Sequence, residues 1–224
     1  GSWAGLRPLL ATSPGRHKQP KARTADLSRR HQVIVSEKGL VTITGGKLTT
    51  YRKMAADTVD ALALRLEQTL GRRLKGSPTR HLRLRGALAL DERERLRKSL
   101  ENGGLVDKEA ITHLLSRYGT ETRAVVGLVS EHPELELARR FDETLPYLRA
   151  EALYAVRYEM ATGLDDILSR RTRSLLLDTA TTIRVAAEVA ALVGPELGWD
   201  ADAEAEHSRA FAARAEMHLI AAAP

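Results

Sequence analysis

The residues best suited to chemistry lie in one stretch, Val41 to Arg52, with the sequence Val-Thr-Ile-Thr-Gly-Gly-Lys-Leu-Thr-Thr-Tyr-Arg. A β-branched run leads into Gly45 and Gly46 and then into a helical pattern, which predicts a strand that ends at a helix N-terminus. The first N–H groups of a helix have no intrahelical partners, so they attract electron-rich ligand atoms. The glycines allow close approach, Lys47 adds a cation, and the threonines add hydroxyls. As a bare pattern, Gly-Gly-Lys is also typical of ordinary strand-to-helix turns.

Two strands and one long helix are predicted to hold this stretch. Ser28 to Val35 alternates as a strand does, and Gly39 marks the turn into Leu40–Thr44, which predicts an antiparallel pair. From Leu48 apolar residues recur at helical spacing to a stop near Gly71, which predicts a long amphipathic helix with a buried stripe. The stripe consists of Ala55, Val59, Leu62, Leu66 and Leu70.

The rest of the chain is predicted to be helical, which makes the fold class α+β. Residues 71–80 contain glycine, proline and charge without periodicity and are typical of a linker. In the helix predicted at Asp178–Leu197, Gly194-Pro195 could end the helix early or kink it. The predicted helices cover about Asp91–Asn102, Lys108–Arg117, Glu121–Glu131, Leu145–Ala161, Leu164–Thr172, Asp178–Leu197 and Ala201–Ile220.

Composition and charge exclude some classes of function and indicate the kind of ligand. The chain has 224 residues and is 43% hydrophobic, enough for one large or two small domains with a packed core. It has no cysteine, which excludes disulfides, thiol catalysis and cysteine-ligated metal centres. Residues 1–80 carry 16 lysines and arginines against 5 acidic residues, whereas residues 81–224 carry 19 against 24. The basic first part suggests an anionic ligand, a nucleic acid or an acidic membrane surface.

Several other classes lack support. No apolar run is long enough for a membrane-spanning helix, and the basic linker lacks aromatic neighbours that would stack on RNA bases. No His-Glu-x-x-His or Gly-x-Ser-x-Gly occurs, so zinc and hydrolase sites are not indicated. Asp165 and Asp166 would diverge by about 100° on a helix, which favours capping, or pairing of Asp166 with Arg170, over a metal site.

Three motifs in order resemble one known family. They are Ala4-Gly-Leu-Arg-Pro-Leu9, Ser28-Arg-Arg-His31 and Gly45-Gly-Lys-Leu-Thr-Thr-Tyr-Arg52. Together they resemble the carboxyl-proximal part of FAD-dependent (aerobic) glycerol-3-phosphate dehydrogenases, within the D-amino-acid-oxidase-like flavoproteins. The likeness is strong from Trp3 to about Leu70 and weaker towards the C-terminus. It implies that residues 1–76 are the C-terminal part of a flavin and substrate domain and that residues 77–224 form a helical domain.

The resemblance also implies site residues. Arg7 and Arg29 would hold the substrate phosphate, a task suited to planar guanidinium groups, and Lys47 would reach the substrate or the flavin edge. Because Arg30 is adjacent, the match to the family arginine could be displaced by one residue. Neighbours in a strand point to opposite faces, so only one of the two arginines should face the ligand. His31 is interpreted as a strand histidine rather than a catalytic base, and no general base is identified. The residues expected to line the FAD are Gly45, Gly46, Lys47, Leu48, Thr49 and Thr50.

The implied function is FAD-dependent oxidation of sn-glycerol 3-phosphate to dihydroxyacetone phosphate, with electrons passing to a quinone. The chain has no Gly-x-Gly-x-x-Gly, the motif that holds a dinucleotide pyrophosphate, so we expect a fragment that neither binds FAD tightly nor turns over alone. The expected location is the cytoplasm, and peripheral contact with the inner face of the membrane is left open. A homodimer is also left open, and no nucleic-acid partner is expected. The alternatives are a helical dimerisation or membrane-docking module, and, less favoured, a flavin oxidase acting on amines or amino acids.

Overall fold

The computed structural model describes residues 30–71 and 73–219. These residues fall into two compact units, which divide in the sequence between Arg83 and Leu84. The described part of the first unit contains two antiparallel strands and one helix, as predicted. They are β1 (His31–Val35), β2 (Val41–Gly45) and α1 (Tyr51–Leu70), with a single 3-10 turn at Leu48–Thr50 ahead of α1.

The strand pair has a simple register. His31 lies opposite Gly45, and Val35 lies opposite Val41. Gly39 closes the turn between the strands at φ +91°, a conformation that favours glycine. The helix α1 ends where the sequence predicts, because Gly71 adopts the left-handed conformation and donates its N–H to the carbonyl of Glu67, a common helix stop.

The position of the buried stripe on α1 is a correction to the prediction. The stripe from Ala55 to Leu70 is exposed among the described residues. The face that contacts the strand pair instead carries Met54, Asp57 and Arg65, which lie beside Gly46, His31 and Gly39. At 100° per residue the two faces are centred about 130° apart. A two-stranded pair covers only one side of a helix, so the leucines on the other side stay exposed in this unit.

The second unit is helical. Its helices are α2 (Leu90–Gly103), α3 (Lys108–Tyr118), α4 (Thr122–Glu131), α5 (Arg149–Glu159), α6 (Ser174–Leu177), α7 (Thr179–Leu197) and α8 (Ala201–Glu216). Aspartate side chains start three of them: Asp107, Asp178 and Asp200 each accept a hydrogen bond from the backbone N–H three residues later. Such caps satisfy N–H groups that a helix start leaves unpaired, which explains why these predicted boundaries are close to the observed ones.

The core of the second unit lies around α5 and α7. Residues on both helices are fully buried, including Leu153 and Val193, and Phe211 brings α8 onto the same core. Burying large apolar side chains is the main source of stability for such a unit. Across α5 and α7, the guanidinium of Arg149 pairs with Glu188.

Three helical predictions need adjustment. Leu145–Leu148 is not helical; it belongs to a buried loop in which Phe141 N–H donates to the Tyr147 carbonyl. The helix predicted at Leu164–Thr172 is a π-helix over Asp165–Arg171. Gly194-Pro195 neither ends nor interrupts α7, which continues to Leu197. Pro195 lies in the last turn of α7, so the backbone hydrogen bond that proline cannot donate is lost only near the end of the helix.

Candidate functional site

The candidate site is built on the turn that joins β2 to α1. Gly45 and Gly46 both have positive φ, +79° and +82°, which L-residues with side chains rarely adopt. A Cβ placed on Gly46 would also lie 2.5 Å from the Met54 Sδ and 3.3 Å from the His31 Cβ. Both glycines are therefore required for their backbone conformation, and Gly46 is also required for packing against the chain beneath it.

Hydrogen bonds from Thr50 stabilise the start of the helix. Its hydroxyl donates to the Lys47 carbonyl at 2.8 Å and accepts from the Lys47 N–H at 3.0 Å, while its own N–H donates to the same carbonyl. These bonds use most of the hydrogen-bonding capacity of the hydroxyl, since one oxygen has one proton and two lone pairs. Thr50 thus holds Lys47 in an extended conformation immediately before the first helical turn.

The N–H groups of Leu48 and Thr49 precede the first hydrogen bond of the turn, so neither has an intrahelical partner. Lys47, Leu48 and Thr49 are all exposed, Leu48 by 88%. The 3-10 turn continues without a break into the 20 residues of α1, whose dipole adds positive potential at this end. Within the described residues neither N–H has a hydrogen-bond partner, and two such open donors beside a lysine fit a ligand edge that carries or gains negative charge.

The donor chemistry therefore fits the pyrimidine edge of a flavin or an anionic substrate. The glycines keep side chains away from this edge, and the donors are backbone groups that cannot titrate. Of the residues predicted to contact ligand, Gly45, Gly46, Lys47, Leu48, Thr49 and Thr50 are brought together here. Arg7 and Arg29 lie outside the described residues. Arg30 immediately precedes β1 and its carbonyl accepts from Gly46 N–H at 3.3 Å, so the choice between Arg29 and Arg30 stays open.

A histidine and an aspartate lie directly below the glycine turn, a pairing that sequence reasoning missed. The Nε2 of His31 lies 2.7 Å from the Oδ2 of Asp57, and the Nζ of Lys53 pairs with the Oδ1 of the same carboxylate. These two bonds, that of Lys53 first, lower the pKa of Asp57. The pairing joins residues 26 positions apart, so no local pattern could have revealed it.

A second polar cluster, this one buried, centres on Glu151 in α5. Its side chain is fully buried and accepts from Leu148 N–H at 2.9 Å, from the Tyr118 hydroxyl at 2.8 Å and from the His113 Nε2 at 3.0 Å. Arg117 lies 3.7 Å from the same carboxylate. Burial and the neighbouring charge of Glu151 raise the pKa of Tyr118. The cluster joins α3 to α5, and the small exposure of its members is typical of a structural role.

The adjacent aspartates behave as predicted. Arg170 donates to Asp166 at 2.8 Å, and Thr162 N–H donates to the same side chain at 3.0 Å. Asp165 turns away and pairs with Arg214. In the described part of the chain, no group of three or more histidine or acidic side chains could hold a metal ion, and no helix is both long and apolar enough to cross a bilayer.

Comparison with known proteins gives the class of this α+β chain. Residues 77–204 match the family described as the C-terminal domain of alpha-glycerophosphate oxidase, and the chain belongs to that family. Its whole length is 37% identical to glycerol-3-phosphate dehydrogenase of Mycobacterium leprae, of which it covers 36%. It is 33% identical over 211 residues to the human mitochondrial glycerol-3-phosphate dehydrogenase, with 89% of this chain and 26% of that protein covered.

A solved structure supports the fold. The X-ray structure of glycerol-3-phosphate dehydrogenase from Bacillus halodurans complexed with FAD matches 86% of this chain and 39% of that protein, with a TM-score of 0.63 and 24% identity. The relationship inferred from the three sequence motifs is thereby confirmed. The chain spans about a third of the length of the curated relatives it matches.

Proposed function

We propose that this chain acts in the FAD-dependent oxidation of sn-glycerol 3-phosphate to dihydroxyacetone phosphate. The observation that carries the proposal is the open helix start at Leu48 and Thr49, placed behind two positive-φ glycines and beside Lys47. The family and the names of its relatives supply the reaction, and the basic charge of residues 1–80 suits a phosphorylated substrate.

In this proposal each residue of the turn has a distinct task. Bound FAD supplies the hydride acceptor for C2 of the substrate. The Leu48 and Thr49 N–H groups stabilise the negative charge that grows at the pyrimidine edge, because they are already aligned before reaction. Lys47 adds a positive charge to the same edge or to the substrate, and Thr50 keeps its backbone in place. Arg7 and Arg29 hold the phosphate in pairs of hydrogen bonds.

We further propose that the reaction needs a dinucleotide-binding unit N-terminal to these residues. The supporting observation is that the described part of the first unit contains two strands and one helix without a buried residue, whereas a dinucleotide pyrophosphate is held by a βαβ unit with a glycine motif. The full activity then belongs to the longer protein, and this chain alone neither retains FAD nor turns over.

An absorbance scan tests both parts. The purified chain is mixed with FAD and dialysed, and the same is done with a protein extended N-terminally through a dinucleotide-binding unit. We expect only the extended protein to keep the yellow flavin bands and to bleach when glycerol 3-phosphate is added. Retention of FAD by the short chain contradicts the need for the extra unit. Failure of the extended protein to bleach contradicts the dehydrogenase assignment.

The electron acceptor and location form a finer part of the proposal. We propose a quinone as acceptor, with the enzyme in the cytoplasm and peripherally bound to the inner face of the membrane. A soluble quinone analogue added to the extended, substrate-reduced protein should restore the flavin bands within seconds. Flotation with acidic vesicles then tests membrane contact, and neutral vesicles serve as the control.

A helical interaction module is the second candidate function. The observation in its favour is a set of exposed apolar side chains in the second unit: Tyr158, Met160, Leu176 and Leu177. Large exposed apolar side chains suit contact with a second chain or a membrane. Light scattering of the full chain, with and without acidic vesicles, tests this role. If the chain is a monomer and does not bind the vesicles, the result contradicts both dimerisation and membrane docking.

A further inference from the structure

The pairing of His31 with Asp57 encloses the glycine turn. His31 is the first residue of β1 and lies opposite Gly45, where β2 ends. Asp57 lies in the second turn of α1, the helix that the glycine turn leads into. The 2.7 Å contact between their side chains therefore joins the two elements on either side of the turn. Both side chains are mostly shielded, with 19% and 28% exposed.

The turn also packs directly on His31. A Cβ on Gly46 would lie 3.3 Å from the His31 Cβ. The Gly46 N–H donates to the carbonyl of Arg30, the residue that precedes His31. Lys47 follows Gly46 at once. Any movement of the His31 side chain or of the start of β1 therefore shifts the backbone from which Lys47 and the open N–H groups project.

The chemistry of the contact shows which partner donates the hydrogen bond. Asp57 carries a low pKa because Lys53 and His31 both bond to it, so its carboxylate is an acceptor at neutral pH. The bonded His31 Nε2 must then carry a proton. His31 thus resembles a histidine that is oriented by a carboxylate, but its ring lies beneath the turn and not among the open donors.

We propose that His31 and Asp57 are a positioning pair for the β2–α1 turn, and that they set the location of Lys47 and of the Leu48 and Thr49 N–H groups. The identity of the ligand that benefits rests on the proposed function, whereas the positioning itself rests on this geometry alone. His31 acts through the turn and touches no reacting atom. An exposed contact of this kind would contribute little, but this hydrogen bond connects two elements and is shielded.

The first experiment uses the chain as it is and measures amide hydrogen exchange. In His31→Gln, the side-chain amide nitrogen can take the place of Nε2, whereas the shorter side chain in His31→Asn cannot reach Asp57. We expect the Gly46, Lys47 and Thr50 amides to exchange about tenfold faster in His31→Asn, because a charge-assisted hydrogen bond is lost. In His31→Gln they should stay within about twofold of wild type.

The controls separate local positioning from general destabilisation. His81→Asn changes an exposed histidine in the same unit, and it should leave the turn amides unchanged. The amides in the second half of α1, which belongs to the same unit as the turn, should be unchanged in every variant. Equal exchange at the turn in wild type, His31→Asn and His31→Gln overturns the inference, and so does exchange that is as much faster in the second half of α1 as at the turn.

The second experiment uses the extended enzyme. We expect His31→Asn and Asp57→Asn to lower kcat about tenfold while KM changes less than about threefold, because misplaced donors lose transition-state stabilisation. The flavin midpoint potential should fall in the same variants and recover in His31→Gln. Unchanged kcat and potential in both variants overturn the inference. If the wild-type extended enzyme fails to oxidise glycerol 3-phosphate, the proposed function fails, while the exchange experiment still decides the positioning role.

Discussion

At the scale of single residues, backbone conformation explains the glycine turn better than side-chain chemistry does. Gly46 combines a φ of +82° with a Cβ direction that points at the Met54 Sδ. Lys47 contributes its charge, but its backbone N–H and carbonyl are both bonded to Thr50. The turn is therefore a rigid support on which an exposed lysine and two open N–H groups are presented.

Gly46→Ala should loosen this support. We expect a local loss of about 1–3 kcal/mol from the positive φ and the contact with Met54. The measurement is hydrogen exchange of the β2 and turn amides. Gly76→Ala is the matched control, because nothing lies within 4 Å of a Cβ at that glycine and its φ is not in the left-handed region. Wild-type exchange in Gly46→Ala would show that the turn relaxes without cost.

Asp107 should make stability depend on pH. It caps α3 through Ala110 N–H and pairs with Arg140, and the Arg140 bond is the main cause of its lowered pKa. Between the folded and the ordinary pKa of 3.8, the unfolded chain binds more protons, so stability rises with pH there. The contribution of Asp107 is therefore present above pH 3.8 and is lost as pH falls through the lowered folded value.

Removal of the side chain tests this. Asp107→Ala should lower the free energy of unfolding by about 1 kcal/mol at pH 7, as expected for a lost N-cap. The difference from wild type should shrink as pH falls below 3.8. Urea unfolding followed by circular dichroism at several pH values measures it. Glu206→Gln, at an exposed position in α8, is the control; an Asp107→Ala deficit that does not change with pH contradicts the argument.

At the scale of elements, polar contacts join helices that are distant in sequence. Glu151 links α5 to His113 and Tyr118 of α3, and Arg149 and Arg157 link α5 to α7 through Glu188 and Glu196. Burial raises the pKa of Tyr154 in α5 to about 12, so its hydroxyl stays protonated and donates to Glu121 at 3.2 Å. The helix α5 is thus held from two sides.

Glu151→Ala should uncouple α3 from α5. The free energy of unfolding should fall by about 3–5 kcal/mol, because Arg117, the Tyr118 hydroxyl and the Leu148 N–H lose a buried partner together. Glu151→Gln keeps one carbonyl acceptor and should cost less, and Tyr118→Phe should cost about 1 kcal/mol. Urea unfolding measures all three. Equal stability of Glu151→Ala and wild type would contradict a structural role for the cluster.

At the scale of the whole chain, the two units differ in burial. The second unit has a continuous apolar core with Leu148, Leu153 and Phe211 fully buried. In the described part of the first unit, no residue is fully buried, and the leucines of α1 are exposed. Units with few buried apolar contacts open more readily, so the two units should differ strongly in local stability.

Native-state hydrogen exchange should reveal this difference. In the chain as it is, amides of α5 and α7 should exchange at least about a hundredfold more slowly than those of α1. In the N-terminally extended protein, the α1 amides should slow down while those of α7 stay the same, because a completed flavin domain would cover the apolar stripe from Ala55 to Leu70. Equal protection of α1 in both proteins contradicts that part of the proposed function.

By itself the sequence determined the elements with strong local signals. Glycines at helix ends, aspartate caps and apolar periodicity are local rules, so the strand pair, α1 and most later helices could be predicted within a few residues. The glycine turn and Lys47 were found in the same way, because the candidate site is contiguous in the chain.

The tertiary structure alone decided which faces and which distant residues meet. It placed the half-buried face of α1 on Met54, Asp57 and Arg65 and not on the leucine stripe, and it paired His31 with Asp57 and Glu151 with His113. The physical reason is that a periodic pattern states only that a face is apolar, whereas packing depends on what the rest of the fold can bring against it. Contacts between residues 26 or 38 positions apart leave no mark in a local pattern.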